Sequence, residues 1–329
     1  MSKSIYKYSV AIQCMTYNHS KYIEDALNGF IMQDTNFPYV ILLVDDASTD
    51  GEGKIIAEYV DTHFDLCDTS VSYTKETEYA KITYARHKTN LNCFIVAMYL
   101  KYNHYQIGKK HEKWEYISEW MNSSKYIALC EGDDYWTDSN KLQKQVSLLE
   151  ENPKLVMSYT AFTTVDENGA FMMRPFFTDN INRSKSGYVL PELFKGNFIQ
   201  TLTTLFRADY FLKLDNFFKY SGPRCDYYYF MGIAALGEVA FVSDCTGAYR
   251  YNPKGAIATQ QDKINDSLWQ IYKFFALEFV VGRIGLEYTN KIRFKLYFQF
   301  FYRAVVRFIK GEDYSFIFKL MASFFKNAD

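Results

Sequence analysis

Near the middle of the chain stands the run Ile127-Ala-Leu-Cys-Glu-Gly-Asp-Asp-Tyr-Trp136, in which an apolar segment ends abruptly in acids. These acids are Glu131, Asp133 and Asp134, and a glycine separates the first two. Because burying unpaired carboxylates in a strand is costly, we predict that a buried strand ends before Glu131. The acids are then expected just past the end of that strand, at the mouth of a cleft. Clustered carboxylate oxygens on a tight turn are the ligands that Mg²⁺ and Mn²⁺ prefer. This stretch alone also allows an acidic surface turn that leads into a helix.

A second apolar segment ends in the same way. The run Tyr39-Val-Ile-Leu-Leu-Val44 is typical of a central parallel strand, and Asp45 and Asp46 follow it directly. A first strand is predicted over Val10-Ala-Ile-Gln-Cys-Met15, before the polar turn Thr16-Tyr-Asn-His-Ser20. Strands that alternate with helical patterns indicate an α/β fold, a doubly wound, mainly parallel sheet with helices on both faces. Ligands of such sheets bind at the carboxyl ends of the strands, so both acidic turns are expected to line one nucleotide and metal cleft.

The remaining elements are predicted from hydrophobic periodicity and turn residues. Further strands are expected at residues 71–74, 82–85, 155–160, 202–207 and 239–242. Helices are expected over residues 22–31, 55–64, 93–125, 141–151, 208–214 and 227–235.

Composition excludes several classes of protein. The 329 residues are 48% hydrophobic and carry a formal net charge of −1, which argues against a general nucleic-acid binder. The six cysteines are scattered without C-x-x-C spacing, so neither a zinc site nor a redox motif is indicated. The N-terminus has no apolar signal region and no apolar run reaches the roughly 18 residues of a membrane span, so we expect a cytoplasmic location.

The C-terminal part differs in charge from the rest. Residues 263–329 contain 11 Lys or Arg and 6 Asp or Glu, interleaved with aromatic residues at helical spacing. This pattern predicts a C-terminal helical extension, a basic amphipathic tail that could contact the anionic inner membrane surface. A helical subdomain that packs on the body and a homodimer interface are the alternatives.

Taken together, the motifs resemble those of the family 2 glycosyltransferases, inverting enzymes of the GT-A fold that use nucleotide-sugar donors. The matching stretches are Met15-Thr-Tyr-Asn18, Val44-Asp-Asp-Ala-Ser-Thr-Asp-Gly51 and Glu131-Gly-Asp-Asp-Tyr-Trp136, with a looser match at Asp226 and Tyr249-Arg250. The resemblance covers residues 8–255. It implies a GT-A domain over residues 1–262, with a nucleotide-binding half at 1–160 and an acceptor-binding half at 161–262.

The resemblance also implies roles for individual residues. The implied nucleotide contacts are Thr16, Tyr17, Asn18, Asp45, Asp46, Lys88 and Asp133. Tyr17 would stack on the base, and Asp46 would accept a hydrogen bond from an imide N–H such as that of uracil, or from the ring N–H of guanine. Lys88 or Arg86 would neutralise phosphate. A UDP-sugar is the expected donor.

For the chemistry, the resemblance implies a metal, a base and an acceptor pocket. Asp133 and Asp134 would hold Mn²⁺ or Mg²⁺ on the diphosphate. The carboxylate of Asp226, which local sequence alone explains as a helix cap, would be the general base. The implied sugar or acceptor contacts are Glu131, Trp136 and Arg250. Several relatives carry a histidine where this chain has Asn252, so that contact to metal or diphosphate is missing here.

The expected function is therefore sugar transfer to a glycan or a lipid-linked acceptor in capsule, O-antigen or other surface polysaccharide synthesis. Such an enzyme would work in the cytoplasm or at the inner face of the cytoplasmic membrane. One alternative is a GT-A-like protein that binds a nucleotide without catalysis. A nucleotidyltransferase is another, although its usual Gly-rich basic first loop is absent. A dinucleotide oxidoreductase is disfavoured because no G-x-G-x-x-G follows the first strand.

Overall fold

The computed structural model describes residues 6–108, 112–174, 179–221 and 226–251, together with Tyr302. The predicted tail, residues 263–329, otherwise lies outside the described residues, as does Asn252. The domain boundary at residue 262, the membrane contact and the homodimer therefore stay predictions. No helix among the described residues has the length and apolar character that crossing a bilayer requires.

Eleven strands form one sheet in this part of the chain. They are β1 Tyr8–Thr16, β2 Tyr39–Asp45, β3 Phe64–Asp65, β4 Tyr73–Glu76, β5 Ala80–His87, β6 Cys93–Leu100, β7 Ser124–Leu129, β8 Tyr135–Trp136, β9 Leu155–Val165, β10 Leu205–Arg207 and β11 Glu238–Arg250. The helices are α1 Ile23–Ile31, α2 Glu52–His63, α3 Glu112–Tyr116, α4 Ser118–Asn122, α5 Lys141–Glu151, α6 Asn180–Arg183, α7 Leu190–Lys195, α8 Ala208–Ser221 and α9 Asp226–Ala234. A 3₁₀ turn spans Thr201–Thr203.

The sheet is mostly parallel, as predicted. Its order is β3-β5-β6-β2-β1-β7-β10-β9-β11-β8, with β4 paired to β5. Strands β6, β2, β1 and β7 run parallel at the centre, and β10 is antiparallel to both of its neighbours. The chain leaves β1 towards β2 on one side and later returns to pair β7 on the other. This reversal of strand order beside β1 is where open α/β sheets bind ligands.

The register brings three strand ends to one edge of the sheet. Thr16 of β1 pairs with Asp45 of β2, and Gln13 of β1 pairs with Leu129 of β7. The turns that follow β1, β2 and β7 therefore start side by side. The two acidic turns that the sequence predicted at one cleft lie on these neighbouring strands.

Helices cover both faces of the sheet, as alternating side chains show. Leu205 of β10 belongs to the apolar core that includes residues of α1, α2 and α5. The next residue, Phe206, points the other way and packs against Phe211 of α8 and Phe230 of α9, with ring centroids 5.5 and 6.2 Å apart. Every residue of β2 is buried, which a strand covered on both faces requires.

One large prediction of secondary structure was wrong. Residues 93–125 were expected to be helical, but Cys93–Leu100 forms β6 beside β2 and only short helices follow. Its sequence, Cys-Phe-Ile-Val-Ala-Met-Tyr-Leu, is a continuous apolar run. Periodicity alone cannot distinguish a buried strand from a buried helix in such a run. Here the segment forms a strand because its backbone hydrogen-bonds to the edge of β2.

Candidate functional site

Three turns meet at the carboxyl edge of the sheet: the first turn (residues 16–20), the second turn (residues 45–51) and the acidic turn (residues 131–134). Backbone N–H groups of Asp46 and Gly132 donate to the carbonyls of Thr16 and Met15, at 3.0 and 3.2 Å. A Cβ atom on Gly132 would lie 2.3 Å from Oγ1 of Thr16. Glycine therefore lets the acidic turn approach the first turn closely.

The buried carboxylate of Glu52, at the start of α2, links the first and second turns. Its Oε1 accepts the hydroxyl proton of Thr16, and its Oε2 accepts the His19 backbone N–H at 2.9 Å and the Ser48 hydroxyl at 2.8 Å. Sequence reasoning missed Glu52. Its sequence position shows only an acid in the first turn of a helix, and a favourable interaction with the helix dipole is enough to explain an acid there.

Asn18 joins the same two turns from the outside. Its Oδ1 accepts the Thr49 N–H at 2.8 Å, and its own N–H donates to Ser48 Oγ at 2.9 Å. Its φ of 56° lies in the left-handed region, which asparagine tolerates better than most residues. These contacts fix the backbone beside Tyr17, whose half-buried ring lies between Thr16 and Asn18 in the first turn.

The two acids of the second turn are both buried. Asp45 Oδ1 accepts the Ser48 N–H at 3.0 Å, and burial raises the pKa of the Asp45 carboxyl. Asp46 accepts Lys113 Nζ at 2.7 Å, and it also accepts the N–H groups of His104 at 2.7 Å and Tyr105 at 3.2 Å. In this structure Asp46 thus anchors the segment after β6. The predicted contact to the base would have to share the two carboxylate oxygens with these three donors.

Lys88 lies far from the three turns, which corrects its predicted role as a phosphate ligand. Its Nζ donates to the carbonyls of Asp61 and Thr62 near the end of α2, at 2.8 and 2.9 Å. Strand β5, which precedes it, runs antiparallel to β6, so its carboxyl end lies at the edge opposite the three turns. Arg86 lies at the same end of β5 and is therefore also distant from the three turns.

The acidic turn concentrates negative charge. The pKa of Glu131 is raised to about 7, first by burial and then by the charges of Asp133 and Asp226. The pKa of Asp134 is raised well above its ordinary value, again mainly by burial and then by Asp133 and Glu131. The Arg250 N–H, which donates to Asp134 Oδ1 at 2.8 Å, acts in the opposite direction. The turn therefore holds carboxylates that repel one another, which favours binding of a cation.

Asp226 belongs to this electrostatic cluster although it lies far along the chain. It is the first residue of α9, and its Oδ1 accepts the Tyr227 N–H at 2.7 Å. Burial raises its pKa, and its charge in turn raises the pKa of Glu131. Glu131 also shares a hydrogen bond with the side chain of Thr201.

Arg250 braces the acidic turn, which corrects its predicted role as a sugar contact. Its buried guanidinium donates to the Asp133 carbonyl at 2.9 Å and to Asp25 Oδ2 at 2.6 Å, and it lies over the Tyr22 ring at 4.6 Å. The Arg250 backbone N–H also donates to Asp134 Oδ1, so the end of β11 holds both aspartates of the turn. Arg250 is a positioning residue.

Trp136 is a core residue, which corrects its predicted place in the sugar pocket. Only 2% of its surface is exposed. Its indole Nε1 donates to the Leu202 carbonyl at 2.8 Å, and its ring packs edge-on against Phe30 at 5.0 Å. A Cβ on Gly29 would lie 2.8 Å from the Trp136 backbone nitrogen, so α1 also needs glycine at this contact.

The buried Lys141, which packs against Trp136, should make the free energy of unfolding depend on pH. Lys141 Nζ lies 4.4 Å from the Trp136 ring and donates to Gln145 Oε1 at 2.6 Å. Burial lowers the pKa of Lys141 to about 7, whereas an unfolded lysine has a pKa of about 10.4. Between these values the unfolded state binds more protons than the folded state, so this group makes stability rise with pH, and its full cost is present below pH 7.

We expect Lys141→Met to stabilise the protein by about 4 kcal/mol at pH 6.5 and by only about 1 kcal/mol at pH 9.5, because methionine removes the buried charge at similar volume. Urea unfolding at the two pH values measures the difference. A gain of equal size at both would show that packing, and not the lysine charge, is responsible.

The donor set of the three turns fits a divalent cation in part. Among the described residues no group of three His, Cys, Asp or Glu side chains is placed to hold a metal. Asp133, with 22% of its side chain exposed, lies 3.7 Å from His19 Nε2, while Asp134 is buried under Arg250. Mg²⁺ typically takes one or two carboxylates and completes its shell with water and substrate phosphates. The repelling carboxylates and this short donor list suit such a shared site.

Comparison with known proteins agrees with this picture. Residues 12–94 match the model of glycosyl transferase family 2. An uncharacterised protein of Mycobacterium tuberculosis is 28% identical over 246 residues, which are 75% of this chain and 60% of that protein. An uncharacterised glycosyltransferase of Mycoplasma genitalium is 23% identical over 172 residues, 52% of this chain and 45% of that protein. The chain thus spans 60% or less of the length of these relatives.

Among solved structures, residues 1–349 of TarS from S. aureus in complex with UDP have the same fold. The TM-score is 0.54 at 15% sequence identity, and the match covers 88% of this chain and 70% of that one. The architecture of this chain is that of the GT-A glycosyltransferases.

Proposed function

Because this chain carries a family 2 glycosyltransferase domain of the GT-A type, we propose that it moves a sugar from a nucleoside-diphosphate donor to an acceptor hydroxyl with inversion at the anomeric carbon. The observation that carries the proposal is that Asp226 lies near enough to the acidic turn for its charge to raise the pKa of Glu131. An inverting transfer requires one carboxylate base on the face of the sugar opposite the leaving diphosphate.

In the proposed reaction, Asp226 removes the proton of the acceptor hydroxyl as its oxygen attacks the anomeric carbon. The bond from that carbon to the diphosphate oxygen breaks, and the nucleoside diphosphate leaves from the opposite face. Burial raises the pKa of Asp226, which makes its ionised form a stronger base. The carboxyl group ends the step protonated, and no covalent intermediate with the protein forms.

The chain's other residues bind and orient the donor. Tyr17 offers a half-buried aromatic face for the base, beside the turns that Glu52 and Asn18 tie together. Asp133 and Asp134 would hold Mn²⁺ or Mg²⁺, which when bound would stabilise the charge on the leaving diphosphate. Arg250 keeps both aspartates in place through Asp133 O and Asp134 Oδ1.

We propose a UDP-sugar as donor and a glycan or lipid-linked hydroxyl as acceptor in surface polysaccharide synthesis. The UDP bound by TarS, which shares this fold, supports the nucleotide. The basic composition of residues 263–329 supports an acceptor at the inner face of the cytoplasmic membrane.

A panel of nucleotide sugars tests the proposal. With Mn²⁺ present, we expect one UDP-sugar to raise the melting temperature, by an amount that grows with the logarithm of its concentration above Kd. The same UDP-sugar should release UDP when it is incubated with the protein. GDP-sugars and nucleoside triphosphates are the comparison ligands. Binding without release of UDP from any donor or acceptor would instead favour a nucleotide-binding protein without catalysis. Turnover of a triphosphate would favour a nucleotidyltransferase.

A further inference from the structure

His19 has no role in the reaction proposed above, yet it lies where the first turn meets the acidic turn. Its Nε2 faces Asp133 Oδ2 at 3.7 Å, which is longer than a direct hydrogen bond. Its Nδ1 lies 3.2 Å from Thr16 Oγ1 on the other side of the ring. The side chains of His19 and Asp133 are 18% and 22% exposed, so both reach solvent at the cleft.

The hydrogen-bond chain behind the ring fixes its tautomer. Thr16 has one hydroxyl proton, and Oγ1 donates it to the buried carboxylate of Glu52. Oγ1 must then accept the hydrogen bond that it shares with His19, so Nδ1 carries the proton of that bond. Nε2, on the other side of the ring, is the nitrogen left to bind a ligand, and it lies 3.7 Å from Asp133 Oδ2.

An imidazole nitrogen and a carboxylate oxygen are both metal ligands in proteins. Histidine ligands of metals typically donate their other ring N–H to a second group, which sets the tautomer and orients the ring. Here the chain from His19 through Thr16 to Glu52 supplies that group. The observed 3.7 Å between Nε2 and Oδ2 places both atoms within reach of one ion.

We propose that His19 Nε2 joins Asp133 Oδ2 as a ligand of the divalent cation, with Thr16 and Glu52 as positioning residues. The inference rests on the proposed function only in the identity of the ion, Mn²⁺ or Mg²⁺. It assigns the first turn a part in metal binding, besides its contact with the nucleotide.

Pulsed electron paramagnetic resonance of Mn²⁺ tests the assignment directly. The full-length protein is loaded with excess Mn²⁺, with and without UDP, and the spin-echo modulation from imidazole ¹⁴N is recorded. We expect the modulation in wild type, its loss in His19→Ala, and its persistence in the matched control His63→Ala. His63 lies at the far end of α2, with its ring tilted by 30° against that of Tyr59 at a centroid distance of 4.2 Å. Circular dichroism verifies that the variants are folded.

Affinity gives a second readout. Counting free Mn²⁺ from its resonance signal, we expect Asp133→Asn and His19→Ala each to weaken binding at least tenfold, and Glu52→Gln to weaken it by about tenfold through the misoriented ring. Absence of ¹⁴N modulation in wild type under both conditions, or its persistence in His19→Ala, overturns the proposal. Since neither experiment requires a donor sugar, loss of donor turnover with an intact ¹⁴N signal would reject the proposed function and leave this inference standing.

Discussion

Replacing Asp226 with asparagine is expected to lower kcat for sugar transfer by about 10²–10⁴-fold, the range that a general base contributes. Asparagine has the shape of aspartate but cannot take the acceptor proton. Its Oδ1 can still accept the Tyr227 N–H that Asp226 accepts at 2.7 Å, so the start of α9 should keep its structure. The measurement is steady-state release of UDP with acceptor present, together with UDP affinity by calorimetry.

Two comparisons make this result specific. UDP affinity is expected to stay within about twofold of wild type, because only interactions made in the transition state are lost. Asp244→Asn is the matched control, since that exposed carboxylate pairs with Lys144 away from the three turns. Full transfer by Asp226→Asn would show that Asp226 is a helix cap and that another group is the base.

Replacing Lys113 with methionine is expected to destabilise the protein by about 3–5 kcal/mol, the cost of leaving a buried carboxylate without its cation. Lys113 Nζ lies 2.7 Å from Asp46 Oδ2, and only 11% and 4% of the two side chains are exposed. In the variant Asp46 keeps the N–H groups of His104 and Tyr105 but loses the charge of the lysine. Urea unfolding at pH 7 measures the loss.

The double variant Lys113→Met/Asp46→Asn separates the charge from the packing of the lysine. Removing both charges should restore part of the lost stability, because no buried ion then lacks a partner. Lys144→Met is the matched control, whose exposed pairs with Asp138 and Asp244 are expected to contribute about 1 kcal/mol or less. A loss from Lys113→Met no larger than that of Lys144→Met would contradict the account of Asp46 as an anchor.

The parts of the fold that the sequence predicted are those where local pattern and burial agree. The apolar run of β2 and the carboxylates that end it correctly predicted a buried strand whose acidic turn lies at the edge where β1 also ends. The run of β6 was ambiguous, since an apolar segment buried on both faces has no periodicity to distinguish strand from helix. Its assignment depends on pairing with β2, which lies about 50 residues earlier in the chain.

For the site residues too, the sequence predicted what depends on local pattern and missed what depends on distant partners. The acids of the second turn and of the acidic turn were predicted to lie at one edge of the sheet because charges at strand ends are visible locally. Lys88 was misplaced because nothing local in β5 reveals that it runs antiparallel. Arg250 and Trp136 were misassigned because their partners, Asp133 and Leu202, are distant in sequence. Glu52 and Lys113 were missed for this reason too, since a buried charge is recognised by its three-dimensional partners.

The anomeric configuration of the first product tests the central claim most directly. Wild-type protein is incubated with Mn²⁺, an acceptor and the UDP-sugar that the ligand panel identifies, and proton NMR follows the anomeric signal as it forms. A single carboxylate base with direct displacement of the diphosphate predicts a β-linked product from an α-linked donor. An α-linked product would contradict the proposed role of Asp226, because retention requires a different mechanism from one displacement.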